Sequence, residues 1–441
     1  FTFKLLALSS IGIGLIVYFY PLLYSWAKME EYKKDVNKEA PFISIVAYIN
    51  SLLDKNIVVT LEELSNIRTL KTPAIEYQMI KKSKEVLNES TFTALERRLK
   101  LHKSDLLGKI YSKFLVASEL GLSIKDRMRE AMKEVLQQYK EEYKSYIERS
   151  SELAEMVFAV YLLLPIVLVG FQFTFKVNPV QLLMPLLFTP AFIFFVSTIQ
   201  PSGDYVIKVK YKQLLPLFAI VPIILLPLSF LVKMAMIIVV LSLILYNVYE
   251  QVRIANYLLS QLPDMLKEIS DYMKIGYSLV TAFSKVKPKG NNAGAKIIND
   301  IVTKAVMNNE IPEVETPSSL FNNIINVLGI LSKTGLSSTG LEELSDLVND
   351  IVNLRNSMLK QLRLFDVMVI LTPIMLWLTF SMLGHIFSST NSVFEYVTLF
   401  SYSLAVGLIF SKISRFVTFY LPTTVLPLVL SLILSFFPHG I

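Results

Sequence analysis

Asp264 and Asp271 stand seven residues apart, a spacing that puts both on one face of a helix. A pair of carboxylates is what an intramembrane aspartyl protease uses for acid–base work on water. Both lie outside any apolar stretch, however, and read as solvated helix charges. The three histidines offer no metal site: His102 follows the helical run Arg97, Arg98 and Lys100, His385 lies near an outer membrane boundary, and His439 is in the tail. None has a second His or a carboxylate at metal-ligand spacing. The chain has no Cys, which excludes disulfides, thiolate zinc sites and cysteine nucleophiles. The tract from Gly294 to Ile298 contains the Lys of a phosphate-binding loop but lacks its first Gly and its Ser or Thr. The expectation is a protein without catalytic, cofactor-binding or metal-binding residues, and not an enzyme.

The elements that carry these residues are set by composition. With 53% hydrophobic residues, 18% charged residues and a mean hydropathy of +0.51, the chain is too apolar for a soluble protein and too charged for a pure membrane bundle. Stretches of about 18 or more apolar residues can cross the ~30 Å hydrocarbon layer as helices. Eight are expected, at 5–27, 153–175, 180–199, 214–231, 233–249, 366–387, 395–411 and 416–437. The run 214–249 is far too long for one span and reads as a hairpin with Lys233 in its loop. The length of the first stretch, its boundary at Pro21 and Trp26 and its lack of a small-residue cleavage pattern favour a retained helix over a signal peptide.

On this reading all but three of the 43 Lys and Arg fall on one side, the exceptions being Lys4, Lys176 and Lys233. The positive-inside rule makes that side cytoplasmic. Short loops apply the rule most safely: the tracts Ile207 to Lys212 and Lys412 to Arg415 oppose Lys176 to Pro179 and a loop at 388–394 without a basic residue. The net charge of +7 therefore reads as cytoplasmic bias and attraction to membrane lipid, not as a nucleic-acid interface.

The organisation that follows is an N-terminal span (1–27), a polar region (28–152), four spans (153–250), a second polar region (251–365), and three spans with a short tail (366–441). Both polar regions show helical rather than strand-like spacing. One apolar stripe runs through Phe42, Ile45, Val46, Ile49, Leu52 and Leu53, and a second through Met128, Met132, Val135, Tyr139, Tyr143 and Tyr146. A third runs through Leu347, Ile351, Leu354, Met358, Leu362 and Phe365. The fold expected is an all-α polytopic membrane protein with about eight spans and two cytoplasmic helical bundles.

The two polar regions also repeat one another. Lys113 to Val135 is similar to Asn326 to Val348, each reading as a helix, a Gly-Leu-Ser turn and a second helix that runs into an apolar stretch. Gly121 and Gly335 suit a left-handed helix end, and Ser123 and Ser337 can accept N–H bonds at the next helix start. A weaker pair lies upstream, where Asn50 to Leu64 is similar to Ile269 to Phe283. There Asn56 is expected in the place of Gly276, ahead of Ser278.

At these residues the chain resembles the type II secretion F domain family, the polytopic platform proteins of type IV pili, type II secretion systems and archaella. That family carries a helix, a turn of Gly, an apolar residue and Ser, and a second helix, twice per domain. Two such domains account for nearly the whole chain, which resembles the archaeal platforms that look like two tight-adherence subunits fused head to tail. The resemblance implies a protein of the cell membrane that couples a hexameric secretion ATPase to prepilins or archaellins, and a homodimer. Candidate ATPase contacts are the basic Lys125, Arg127 and Arg129 after Gly121 and the acidic Glu342, Glu343 and Asp346 after Gly335. A permease with cytoplasmic regulatory domains is the alternative. Against it, the apolar stretches hold almost none of the buried charges that coupled transporters use.

Overall fold

The computed structural model describes residues 2–171, 179–201, 205–209, 211–213, 215–386 and 392–437. Lys176, His439 and most of the loop at 388–394 lie outside the described residues, as do the side chains of Lys4, Lys212 and His385. Among the described residues the regular structure is helical, and the one β-type pairing is an isolated bridge between Tyr205 and Ser318. The chain divides into two compact units, one formed by 1–139, 308–314 and 322–340, the other by 140–307, 315–321 and 341–441.

The first unit is built on the polar half of α1 (Thr2–Ser51). From Glu39 to Ser51 every residue of α1 is buried, so this is a helix enclosed on all faces. The stripe from Phe42 to Ile49 is thus wider than an amphipathic pattern implies, because α2 (Ile57–Ser65), α3 (Lys71–Leu87) and α5 (Leu106–Leu120) all pack on α1. Between them α4 (Thr91–Leu101) packs on α3 and α5. Each entry is capped by a short polar side chain: Asn56, Ser90 and Asp105 accept N–H bonds at the starts of α2, α4 and α5. The start of α3 is capped from a distance, by the buried Glu39 carboxylate, which accepts from the Lys71 and Thr72 amides at 3.1 and 2.7 Å.

The segments 308–314 and 322–340, which belong to the second polar region in sequence, pack in this first unit. Asn326 ties them together, its amide oxygen accepting from the Val314 N–H at 2.8 Å and its amide nitrogen donating to Thr69.

The long helices that enter the second unit combine an apolar and a polar half without a break. Helix α6 (Ile124–Phe158) continues through a π-helical turn, Ala159–Leu163, into α7 (Leu164–Phe171). After a 3₁₀ stretch, Pro179–Phe188, comes α8 (Thr189–Ile199). A second 3₁₀ stretch, Leu215–Ala219, leads into α9 (Ile220–Leu225), and Leu226 to Ser229 breaks the helix before α10 (Phe230–Lys274). The run 214–249 is thus a hairpin, as expected, but Lys233 is not in its loop. It lies in the first turn of α10 and donates to the Ile224 carbonyl at 2.8 Å, satisfying a carbonyl that the end of α9 leaves open.

Three shorter elements, α11 (Leu279–Ser284), α12 (Ala293–Asn308) and α13 (Ser319–Thr334), precede α14 (Ser338–Ile386), and α15 (Ser392–Arg415) and α16 (Leu421–Leu434) end the chain. Among the described residues, four helices are long and apolar enough to cross a membrane: Ile124–Leu168, Phe230–Lys274, Ser338–Ser381 and Glu395–Arg415. The apolar helices Leu183–Ile199, Leu215–Leu225 and Leu421–Leu434 are shorter, and the first expected span lies in α1. Both remaining stripes are buried as the spacing predicts, with one exception. Leu354 is half-buried, and its neighbour Arg355 takes the inward position.

Helices α15 and α16 pack at backbone distance. A Cβ built on Gly407 would stand 2.8 Å from the Thr423 carbonyl oxygen, and Ser403 and Ser431 hydrogen-bond across the pair at 2.6 Å. Small residues at such a crossing let dispersion replace the hydrophobic effect that lipid does not supply. Gly407→Ala should therefore cost on the order of 1–3 kcal/mol and lower the melting temperature in detergent. Gly170→Ala, where a Cβ meets nothing within 4 Å, should leave it unchanged.

Candidate functional site

Among the described residues the four hairpins singled out in the sequence share one local design, and the α3–α4 turn at Asn88 and Ser90 shares it too. In each, a residue with positive φ ends one helix, and two residues later a polar side chain caps the next. The pairs are Gly121 (φ 63) with Ser123, Gly276 (φ 100) with Ser278, and Gly335 (φ 100) with Ser337. These serines accept from the amides of Asp126, Thr281 and Gly340 at 3.3, 3.3 and 3.1 Å. In the first hairpin the left-handed residue is Asp54 (φ 55), and Asn56 is the cap, accepting from Val59 at 3.0 Å. Asn56 therefore corresponds to Ser278, not to Gly276. Asp is among the few residues with a Cβ that reach left-handed backbone, because its side chain bonds locally. Three hairpins close with the same bond from the residue after the turn to the carbonyl five residues back: Lys55 to Asn50, Leu122 to Ala117 and Tyr277 to Tyr272.

The charged residues after Gly121 and Gly335 are not equivalent. Lys125 and Arg129 are exposed, while Arg127 is half-exposed and bonded to Glu130 at 2.7 Å, within a group where Lys113 also pairs with Glu130 and Glu134. Glu342 is paired with Lys274 at 2.9 Å, Asp346 is exposed, and Glu343 is half-buried with one carboxylate oxygen turned away from solvent. Of the six, Lys125, Arg129, Glu342 and Asp346 face outward.

In the second unit, the two short basic loops are fastened where the polar arms leave the apolar helices. Gln251 of α10 exchanges hydrogen bonds with the backbone of Lys208 at 2.9 and 3.0 Å. The Tyr205 hydroxyl donates to Asn256 of α10, and the buried Arg355 of α14 reaches both. The other loop is held likewise: Arg415 pairs with Asp366 of α14 at 2.7 Å, Tyr146 of α6 donates to the Ile413 carbonyl at 2.8 Å, and Gln200 donates to the Lys412 carbonyl. The tracts at Ile207 and Lys412 thus lie at the end of the apolar helices from which α6, α10 and α14 extend.

A buried ionic cluster in the first unit was not anticipated. Glu76 of α3 is fully buried and is met by the Arg98 guanidinium, His102 Nε2 (3.2 Å) and the hydroxyls of Tyr32 and Tyr111 (3.0 Å from the latter). His102 Nδ1 lies 2.6 Å from Asp105. His102, expected to have no carboxylate at metal-ligand spacing, has two carboxylates beside it. Asp105, three residues on, was visible in the sequence, whereas Glu76 is brought in only by the packing of α3 on α4. Among the described residues no three His, Asp or Glu could hold a metal ion, and here the cationic place is filled by Arg98.

Burial opposes the charge on Glu76, but hydrogen bonds from His102 and Arg98 outweigh it and hold the carboxyl at about 2. Burial likewise opposes the imidazolium, and the bonds to Asp105 and Glu76 outweigh it, raising His102 to about 9. With Arg98 cationic, two positive and two negative groups balance. The second repeat omits this chemistry: taking Asp54 with Gly276 and Gly121 with Gly335 as equivalent, Ile298 stands for Glu76 and Ile325 for Tyr111, and both are buried.

No protein-family model, no curated protein and no solved structure matches this chain.

The two shifts have opposite pH signatures. The depressed Glu76 contributes stability present above pH 4.5 and lost as pH falls through about 2; the raised His102 contributes stability present below pH 6.5 and lost as pH rises through about 9. The unfolding midpoint should therefore fall between pH 7 and 10 in the native chain and stay flatter in His102→Gln. Glu76→Ala strands Arg98, leaves His102 with Asp105 alone, and should cost about 3–5 kcal/mol in chemical denaturation.

Proposed function

We propose that this chain is a membrane platform for assembling a type IV pilus-like filament, an archaeal pilus or archaellum, and that it couples a cytoplasmic secretion ATPase to the insertion of pilin-like subunits. The observation that carries the reading is the set of long helices. α1, α10 and α14 have 50, 45 and 49 residues. At 1.5 Å per residue each is about 65–75 Å long, more than twice the hydrocarbon thickness. Each joins an apolar half to a polar arm that ends at, or starts from, one of the repeated hairpins. An arm of this kind passes a push or a rotation at its tip to the apolar half as rigid-body movement.

The topology proposed has about eight spans and both polar regions in the cytoplasm. The two basic loops fastened at the roots of the arms support that side, since Lys208, Lys412 and Arg415 would then face anionic lipid headgroups. The resemblance of the hairpins to the secretion F domain gives the partner class: a hexameric ATPase below, and prepilins or archaellins held by their apolar helices within the bilayer. A homodimer follows from the same resemblance.

The full chain reconstituted in liposomes should raise the turnover of the purified secretion ATPase encoded in the same genome severalfold. Unchanged turnover, together with specific solute flux by the chain alone, would instead favour a permease.

A further inference from the structure

The four hairpins share a backbone design but not a surface. In the first unit, the hairpins at Asp54 and Gly335 lean on each other. Leu53 packs 3.9 Å from where a Cβ on Gly335 would stand, Lys55 Nζ donates to the Thr334 carbonyl at 3.2 Å, and Ile49 lies against Gly340. Leu53 keeps 41% exposure, but Lys55, Thr334 and Leu336 are only half-exposed.

The other two hairpins hold their apolar residues out. Leu120 and Leu122, on either side of Gly121, are 65% and 39% exposed, and Ile275 and Tyr277, on either side of Gly276, are 74% and 41% exposed. Each pair straddles a glycine whose φ is positive and where a Cβ would meet nothing within 4 Å, so the tip is narrow as well as apolar. A cation accompanies each. Lys125, Arg129 and Lys133 are exposed at every fourth residue of α6, on one face, and Lys285 Nζ lies 4.8 Å from the centre of the Tyr277 ring.

We infer that the tips at Gly121 and Gly276 are the docking elements for a cytoplasmic protein, each inserting its apolar pair into an acid-rimmed apolar pocket of the partner, while the hairpins at Asp54 and Gly335 are structural. This rests on the platform reading and names which part of it touches the motor. Exposed apolar side chains ringed by charge form the anchor-and-rim pattern of a protein interface; Glu119 and Asp126 are also exposed beside the first tip, but the stripe of Lys125, Arg129 and Lys133 leaves that rim with a positive excess. Helix length removes the lipid surface as occupant of the first tip. From Ile124 to the first apolar residues near 153, α6 is unbroken over about 43 Å, several times the ~8–10 Å reach of a charge in physiological salt. In this arrangement Arg127 is a poor contact, since Glu130 already holds it.

The test uses the full chain in nanodiscs against the purified secretion ATPase of the same genome, with affinity measured by interferometry. Leu120→Ser with Leu122→Ser, and Ile275→Ser with Tyr277→Ser, should each weaken binding tenfold or more; Leu53→Ser should not. Lys125→Glu with Lys133→Glu should weaken binding at low salt and less at high salt. All the substituted residues are exposed, so melting temperatures should stay within a few degrees of the parent.

Parent binding with unaffected tip variants would overturn the assignment of the tips and leave the platform reading standing. No binding by the parent chain would overturn both. Because the chain has no native Cys, Leu122→Cys offers a further check: efficient disulfide-linked dimers in nanodiscs would show a second copy at this tip and overturn the proposal.

Discussion

Hydrocarbon offers no partner to a backbone N–H or C=O, so an apolar segment that enters it must satisfy those groups within its own helix. In this chain the consequence reaches past the bilayer. α1, α10 and α14 do not end where their apolar residues end; the helix continues into the polar arm, and the arm takes the direction of the apolar half. Ends are then set by chemistry alone, at left-handed residues followed by a capping side chain. The result is a set of rods whose far ends are the hairpins.

What holds the rods differs by place. Around the buried stretch of α1 from Glu39 to Ser51 the packing is mostly apolar, with polar exceptions that include Glu39, which caps α3, and Asn50, which donates to Thr60 and Glu63 of α2. In the first repeat the balance of Glu76, Asp105, Arg98 and His102 supplies specificity where the second repeat uses isoleucine. Such a balanced cluster is costly to break but not intrinsically more stabilising than an apolar core, so its effect is to fix how α3, α4 and α5 meet α1. Where the arms leave the apolar helices, the fastening is by single polar side chains: Gln251, Asn256, Arg355, Asp366 and Tyr146 each hold a loop.

Much of this was legible in the sequence because it depends on local rules. The helical stripes, the hairpin within 214–249 and three of the four turns follow from spacing and from Gly followed two residues later by Ser. At the first turn Asn serves both at a left-handed position and as a cap, and only the backbone angles, left-handed at Asp54 and extended at Asn56, separate the two roles. Charge argues against a helix in lipid and points Lys233 to a loop, yet a helix start next to a carbonyl-rich end accommodates it. Glu76 and Arg355 could not be read, since each is buried by partners 22 to 150 residues away. The inclusion of 322–340 in the first unit is a long-range packing outcome that periodicity does not encode.

The account depends most on all four hairpins sharing one side of the membrane. Single cysteines placed at Asn56, Ser123, Ser278 and Ser337 in this cysteine-free chain can be probed with a membrane-impermeant maleimide. The account predicts that all four are protected in intact cells and labelled in inverted membrane vesicles. Labelling of any one of them from outside the intact cell would contradict it.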